Sequence, residues 1–271
     1  MTYGNDFKLT LWTNDPALAA RADEAGVDRI GLDLETLGKA ERQPAKLGTW
    51  ISPHRPDQLP ALRAAIKHGK LFSRINPINP GSREEINLLL DYGVQVMMLP
   101  MFKTPEEVAT FVELVDGRCE KVLLLEHRDA ADRVEEIVTV PGLTEVHVGL
   151  NDLTLSLKMS NRFAVISSDL MDRVSRAVNG AGLRFGVGGL GRSDDNDVPI
   201  PSDLLYAQYP RIKARAALVA RAFLGKDMEV DLTAEVRKCR RRLDHWSAVG
   251  EGDLETAHQL FREKVNACKL W

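Results

Sequence analysis

Residues 121–152 read KVLLLEHRDAADRVEEIVTVPGLTEVHVGLND, and this stretch decides the fold. Lys121-Val-Leu-Leu-Leu-Glu126 is an apolar run ending on a carboxylate, and Glu145-Val-His-Val-Gly-Leu150 is a second, with Asn151 and Asp152 just beyond it. Such runs suit strands buried on both faces of a parallel sheet. Between them, Asp129–Val138 carries a helical pattern. The segment is one strand–helix–strand unit.

The same unit recurs in both directions. Further strands are expected at Lys8–Trp12, Arg29–Glu35, Leu71–Asn76, Gln95–Leu99, Arg184–Gly188 and Ala214–Ala220. Helical patterns cover Pro16–Ala25, Leu59–His68, Glu84–Tyr92, Pro105–Val115 and Leu170–Val178. In Glu84–Tyr92, Ile86, Leu89, Leu90 and Tyr92 share roughly one face, with Glu84, Glu85 and Asp91 off it. Gly26, Gly93, Gly117 and Gly182 each close a helix before the next strand, where a left-handed cap favours glycine. Eight such units predict a closed (β/α)8 TIM barrel rather than an open doubly wound sheet. The eighth strand is the least distinct, because Ile212–Ala220 also has the composition of a helix. After Gly225 the composition shifts, and Asp231–Trp246 and Asp253–Trp271 read as helices with no strand to follow. Residues 1–225 are therefore expected to form the barrel, and 226–271 a helical extension.

Composition narrows the function classes. The chain has 271 residues, 44% hydrophobic and 28% charged, which suits a sizeable core and not disorder. Its net charge of −3 argues against a protein that works by gripping nucleic acid. The basic run Arg237-Lys-Cys-Arg-Arg-Arg242 reads as a solvated or interfacial helix face, without the aromatic interleaving of a nucleic-acid groove. Cys119, Cys239 and Cys268 are odd in number and form no C-x-x-C pair, so neither a disulfide framework nor a thiolate zinc site is expected. The first eight residues lack the order of a signal peptide, and Val96–Phe102 is far short of the ~18 residues of a membrane helix. A cytoplasmic protein is the expectation.

The active site of a parallel barrel lies at the C-terminal ends of its strands. Polar residues end four apolar runs there: Asp33 with Glu35, Arg74 with Asn76, Glu126, and Asn151 with Asp152. Glu126 and Asp152 follow adjacent strands, so two hard anionic oxygens meet at the rim and suit Mg²⁺ or Mn²⁺. The plainer reading is that each carboxylate caps the following helix. Arg74 needs an anionic partner, either Asp33 or Glu35 or a substrate oxygen. Gly186-Val-Gly-Gly-Leu-Gly-Arg192 follows the seventh strand, where backbone N–H groups often receive an anion. No dinucleotide fingerprint, P-loop, H-E-x-x-H or G-x-S-x-G is present. His54 lies in the loop Ser52-Pro-His-Arg-Pro56, after the second strand.

Together these residues look familiar. The stretch Gly31–Asp152 is similar to the HpcH/HpaI aldolase/citrate lyase family of the pyruvate–phosphoenolpyruvate barrel superfamily. The likeness is carried by ADEAGVDRIGLDLE (from Ala22), SRINP, EINLLLDYGVQVMMLPMFKTPEEV, LLLEHRDA and VHVGLNDLTLSL, in order over about half of the chain. The resemblance implies a metal-dependent lyase that turns pyruvate into an enolate. It makes Glu126 and Asp152 the metal ligands and gives Arg74 the enolate oxygen. It gives the pyruvate carboxylate to backbone N–H groups around Gly149, Leu150 and Asn151, with Glu35 beside the substrate. It also implies that the C-terminal helices pack on a neighbouring subunit. A cation and a guanidinium are the groups that stabilise a developing enolate.

One departure matters. Aldolase members carry a Glu-His pair after the second strand, and here the pair reads Glu35-Thr36. The aspartate that partners that histidine persists as Asp91. Thr36 cannot titrate near neutrality, so the proton falls to His54, Glu35, Lys39 or a hydroxide on the metal, with His54 favoured for its chemistry. Three functions remain open: a lyase acting on a 2-oxo acid or related carboxylate, a citrate- or malate-type condensation with an acyl-CoA, and a non-catalytic carboxylate-binding relative. Leu254, Ala257, Phe261, Val265 and Cys268 form an apolar stripe ending at Leu270-Trp271, which predicts burial in a homo-oligomer, with packing on its own barrel as the alternative.

Overall fold

Eight parallel strands pair in sequence order and close on themselves, β8 returning to β1. They are β1 Lys8–Trp12, β2 Arg29–Asp33, β3 Lys70–Arg74, β4 Val96–Leu99, β5 Glu120–Leu125, β6 Glu145–Val148, β7 Arg184–Leu190 and β8 Ala216–Val219. The structure is a computed structural model describing residues 1–42, 52–195, 198–225 and 230–268. The helices that lead to and between the strands are α1 Tyr3–Asp6, α2 Pro16–Glu24, α3 Lys39–Arg42, α4 Leu59–Ala65, α5 Ser82–Asp91, α6 Pro105–Val115, α7 Arg128–Asp132, α8 Val134–Ile137, α9 Leu150–Ser156, α10 Asp169–Gly180, α11 Ser202–Arg211 and α12 Arg221–Leu224. Two long helices follow, α13 Leu232–Ala248 and α14 Glu251–Ala267. Among the described residues no helix is long and apolar enough to cross a membrane.

The strand runs are mostly apolar because each faces two cores. Phe72, Val96, Met98, Val122 and Leu124, with Trp12 packed on them, fill the inside of the barrel. A larger cluster, including Ile30, Leu71, Met97, Leu123 and Val146, lies between barrel and helices. Within the barrel, Arg29 Nη1 meets Glu145 Oε2 at 2.7 Å, and Glu145 Oε1 lies 3.5 Å from His147 Nδ1. Gly186 faces this ring because a Cβ there would lie 2.2 Å from His147 Nδ1.

The helix ends follow local chemistry. Thr104 and Glu107 form a capping box at the start of α6, with Pro105 at its first position. Gly26 and Gly93, two of the expected caps, have φ of +88° and +83°. The helical pattern over Asp129–Val138 divides into α7 and α8 at Arg133. The ambiguous eighth run is a strand, preceded by a helix that ends at Arg211 just after Pro210.

The C-terminal stripe corrects one expectation. Ala257, Phe261 and Val265 are buried within the chain itself. The helix that carries them packs on α11 and on a 3-10 turn, Arg162–Val165. Asn161 Nδ2 donates to the carbonyls of Val265 and Cys268 at 2.9 and 3.0 Å. The stripe is thus satisfied without a second subunit, because α11 offers it a buried face (Leu205, Gln208, Tyr209). Leu270-Trp271 lies outside the described residues. The basic run of α13 is likewise put to use: Arg240 donates to the carbonyls of Gly4, Phe7 and Gly26, and Arg242 pairs with Asp203.

Candidate active site

Asp33 ends β2 and Arg74 ends β3, in register with each other. Arg74 Nε and Nη2 donate to Asp33 Oδ1 and Oδ2 at 2.8 and 2.7 Å, a bidentate fork. A third nitrogen, Nη1, stands 3.2 Å from Glu35 Oε2. The guanidinium also lies 6.0 Å from the Trp12 ring centroid. The sequence left Arg74 a structural or a substrate partner, and its partners within the chain are Asp33 and Glu35. Burial opposes a charged guanidinium, but Asp33, then Glu35 and Glu126, raise its pKa above the ordinary value. Burial likewise opposes an ionised Asp33, and Arg74 and Lys39 together hold it well below the usual carboxylate range.

A short helix after β2 brings two more cations. Lys39 is buried, with Nζ 2.7 Å from Asp33 Oδ2 and 3.7 Å from Glu35 Oε2. Arg42 donates through Nη2 to Glu35 Oε1, and its Nε lies 3.7 Å from Asp152 Oδ1. Glu35, expected beside the substrate, is therefore enclosed by three cations. Lys39 and Arg42 lie four and seven residues beyond Glu35, which is itself outside the helix, so no helical periodicity marked their pairing with it.

Glu126 and Asp152 complete the mouth, and neither stands at the N-cap position of a helix. His127 caps α7, and Gly149 stands at the cap of α9, with Asp152 in that helix's first turn. Glu126 Oε1 accepts from the Met101 N–H at 3.2 Å. Met101 presents that N–H from a left-handed conformation, φ +53°, unusual for a side chain of its size. Burial, then the charges of Glu35 and Asp152, push Glu126 well above the usual carboxylate range against the pull of Arg74 and Arg42. Counting Asp33 and Glu35, four buried carboxylates face three cations here. The site is short of positive charge at Glu126, and its hard oxygens fit a divalent cation. Among the described residues no three His, Cys, Asp or Glu side chains gather as a metal site. The protein would thus supply two carboxylates and leave the other positions to water and substrate, a habit of Mg²⁺.

Other expected residues move in role. The Gly149 N–H is committed to the Leu125 carbonyl at 3.0 Å, so it is not open to a substrate carboxylate. Gly149 matters instead for space: a Cβ would lie 2.8 Å from Glu126 Oε2. The N–H groups of Leu150 and Asn151 remain at the start of α9, with no intrahelical acceptor. His54 is half-buried near the top of β2, its Nδ1 accepting from the Asp33 N–H at 3.1 Å. That bond puts the ring proton on Nε2. Burial lowers its pKa and Lys39 adds to this, with Asp33 opposing. Among the described residues no ion pair or hydrogen bond joins His54 to Glu126 or Asp152. Asp91 is corrected outright: it ends α5 where the chain turns back to enter β4, on the opposite face of the barrel. Thr36 is held by Asn76, whose Oδ1 accepts from the N–H groups of Thr36 and Leu37 at 2.9 and 3.0 Å. Asn76 in turn donates to Glu85.

Residues 8–181 match the family model for HpcH/HpaI aldolase/citrate lyase. The chain belongs to this family. No curated protein matches it at a significant level. Among solved structures, an HpcH/HpaI aldolase/citrate lyase family protein from Burkholderia cenocepacia is 19% identical, covering 89% of this chain and 95% of its own, with a TM-score of 0.61. A citrate lyase from Burkholderia xenovorans is 14% identical, covering 98% and 86%, with a TM-score of 0.61. The citrate lyase beta subunit of M. tuberculosis, complexed with oxaloacetate and magnesium, is 14% identical, covering 89% and 98%, with a TM-score of 0.58. At such identities the likeness is one of fold. HpcH/HpaI membership brings lyase-type chemistry to the chain, through the family.

Proposed function

We propose that the protein is a divalent-metal-dependent carbon–carbon lyase acting through a pyruvate-type enolate on a 2-oxo acid or related small carboxylate. The observation that carries this reading is Arg74, fixed by Asp33 at the same barrel mouth as the buried Glu126–Asp152 pair. Breaking a carbon–carbon bond beside a carbonyl leaves an electron pair on carbon that delocalises onto oxygen. Arg74 has donors beyond those spent on Asp33 and Glu35, and it gives one to that oxygen. Asp33 holds the fork rigid, so no reorganisation is needed as charge develops. Glu126 and Asp152 would hold Mg²⁺ or Mn²⁺, which supplies Lewis-acid stabilisation of the same charge. Leu150 and Asn151 offer N–H groups to the carboxylate. His54 is the proposed proton carrier: with Nε2 freed by a shift of the ring proton to Nδ1, which gives up the bond from the Asp33 N–H, it would take the methyl proton in condensation as an imidazolium and return it to the enolate carbon in cleavage.

The remaining assignments follow from the same reading: a cytoplasmic enzyme, a homo-oligomer as the resemblance implies, and no nucleic-acid partner. Exchange of the pyruvate methyl protons with deuterium, followed by NMR with and without Mg²⁺, tests the activity. Metal-dependent exchange that disappears in Glu126→Gln and falls in Arg74→Lys is expected. Pyruvate binding without any exchange would overturn it in favour of a carboxylate-binding relative.

A further inference from the structure

We propose that Arg192 binds an anionic group, carboxylate or phosphate, at the end of the substrate remote from the enolate. Arg192 would thereby select a charged second substrate. The inference rests on the reading of the site given above.

Position is the first argument. Arg192 follows the end of β7 by two residues, at the end of the barrel where Asp152 follows β6. These strands are hydrogen-bonded neighbours, with Val148 opposite Val187. Gly188 has φ +49°, and a Cβ there would lie 2.4 Å from Leu150 Cδ1. The end of β7 therefore presses on the first turn of α9, the turn that carries Asp152. The loop itself is anchored, since Tyr206 donates its hydroxyl proton to the Gly191 carbonyl at 2.9 Å.

Charge is the second. Four buried side-chain atoms among the described residues lack a hydrogen-bond partner: Arg42 Nε, His147 Nε2, Glu235 Oε2 and Arg192 Nε. The first three belong to side chains with an ionic neighbour, Glu35 for Arg42, Glu145 for His147 and Lys238 for Glu235. The Arg192 guanidinium makes no hydrogen bond or ion pair among the described residues. Asp194, whose carboxylate feels its charge, is taken by Lys238 Nζ at 3.0 Å. A guanidinium partly withdrawn from water without an acceptor is costly, and its planar fork matches carboxylate and phosphate oxygens. A reacting centre held by Glu126, Asp152 and Arg74 leaves the substrate's far end free to reach the neighbouring strand end, which Arg192 follows by two residues.

Condensation of pyruvate with an aldehyde panel tests the assignment, using the full chain with Mg²⁺. Glyoxylate and succinic semialdehyde supply a carboxylate, glyceraldehyde 3-phosphate a phosphate, and propanal and glycolaldehyde no charge. Arg192→Gln is expected to lower the ratio of kcat/KM for charged over neutral aldehydes about 30-fold, the worth of one charged hydrogen bond. Arg192→Lys should recover part of it. The carboxylate and phosphate arms show which anion is preferred. An unchanged ratio in Arg192→Gln overturns the proposal. If the wild-type chain turns over no aldehyde, calorimetry with succinate, acetate and inorganic phosphate decides separately. An anion affinity that survives in Arg192→Gln, or its absence in the wild type, counts against Arg192, whereas missing proton exchange counts only against the lyase reading.

Discussion

Arg42 Nε stands 3.7 Å from Asp152 Oδ1, while the same guanidinium pairs with Glu35 through Nη2. A cation of the chain's own thus lies against one of the two carboxylates assigned to a metal. Like charges at this range repel strongly in a partly buried site. Arg42→Gln should therefore tighten Mg²⁺ binding about tenfold by calorimetry, an estimate from Coulomb repulsion at moderate dielectric. Equal or weaker affinity would mean that Arg42 and the metal do not share Asp152.

Asp33 carries a pH prediction. Its pKa is depressed below the ordinary 3.8, so its pairing with Arg74 and Lys39 stabilises the fold above that value. That stability is lost as pH falls through the lower, folded-state value. Asp33→Asn should cost about 3 kcal/mol at neutral pH, because Arg74 and Lys39 each lose one of their two carboxylate partners. The gap from wild type in urea unfolding should narrow below about pH 4. A gap that stays constant down to pH 2 would refute the ion-pair account.

Gly149→Ala tests the packing of Glu126, one of the two carboxylates proposed to hold the metal. The new Cβ would meet Glu126 Oε2 at 2.8 Å and Glu126 Cβ at 3.0 Å, so Glu126 must turn. The expected result is about tenfold weaker Mg²⁺ binding, with a stability loss of about 1–3 kcal/mol. Normal metal affinity would show that the orientation of Glu126 is not set by this glycine.

Leu254 and Phe261 frame a test of the last helix. Because Phe261 and Val265 are buried on the chain's own α11, truncation after Gly250 should expose that face and lower Tm by several degrees. An unchanged Tm would show that α14 adds nothing to the barrel's stability.

The barrel and the residues at its mouth are legible in the local pattern of the chain. Apolar runs without alternation, glycine caps and eight repeats are local signals, and each needs only its own segment to be read. The rule that strand ends carry the site then picked out Asp33, Glu35, Arg74, Glu126 and Asp152. Which groups each of them meets is set only by the closed fold. Lys39 and Arg42 enter the site because a turn after β2 folds over Glu35. The Gly149 N–H is spent on Leu125, and His54 is bound to the backbone of Asp33. Asp91 falls at the far end of its helix, and the C-terminal stripe finds α11 rather than a partner. Spacing along a chain fixes which face a residue occupies, but not which distant group arrives opposite it. Charge pairing and burial depend on that arrival, so they are properties of the closed barrel and of no single segment.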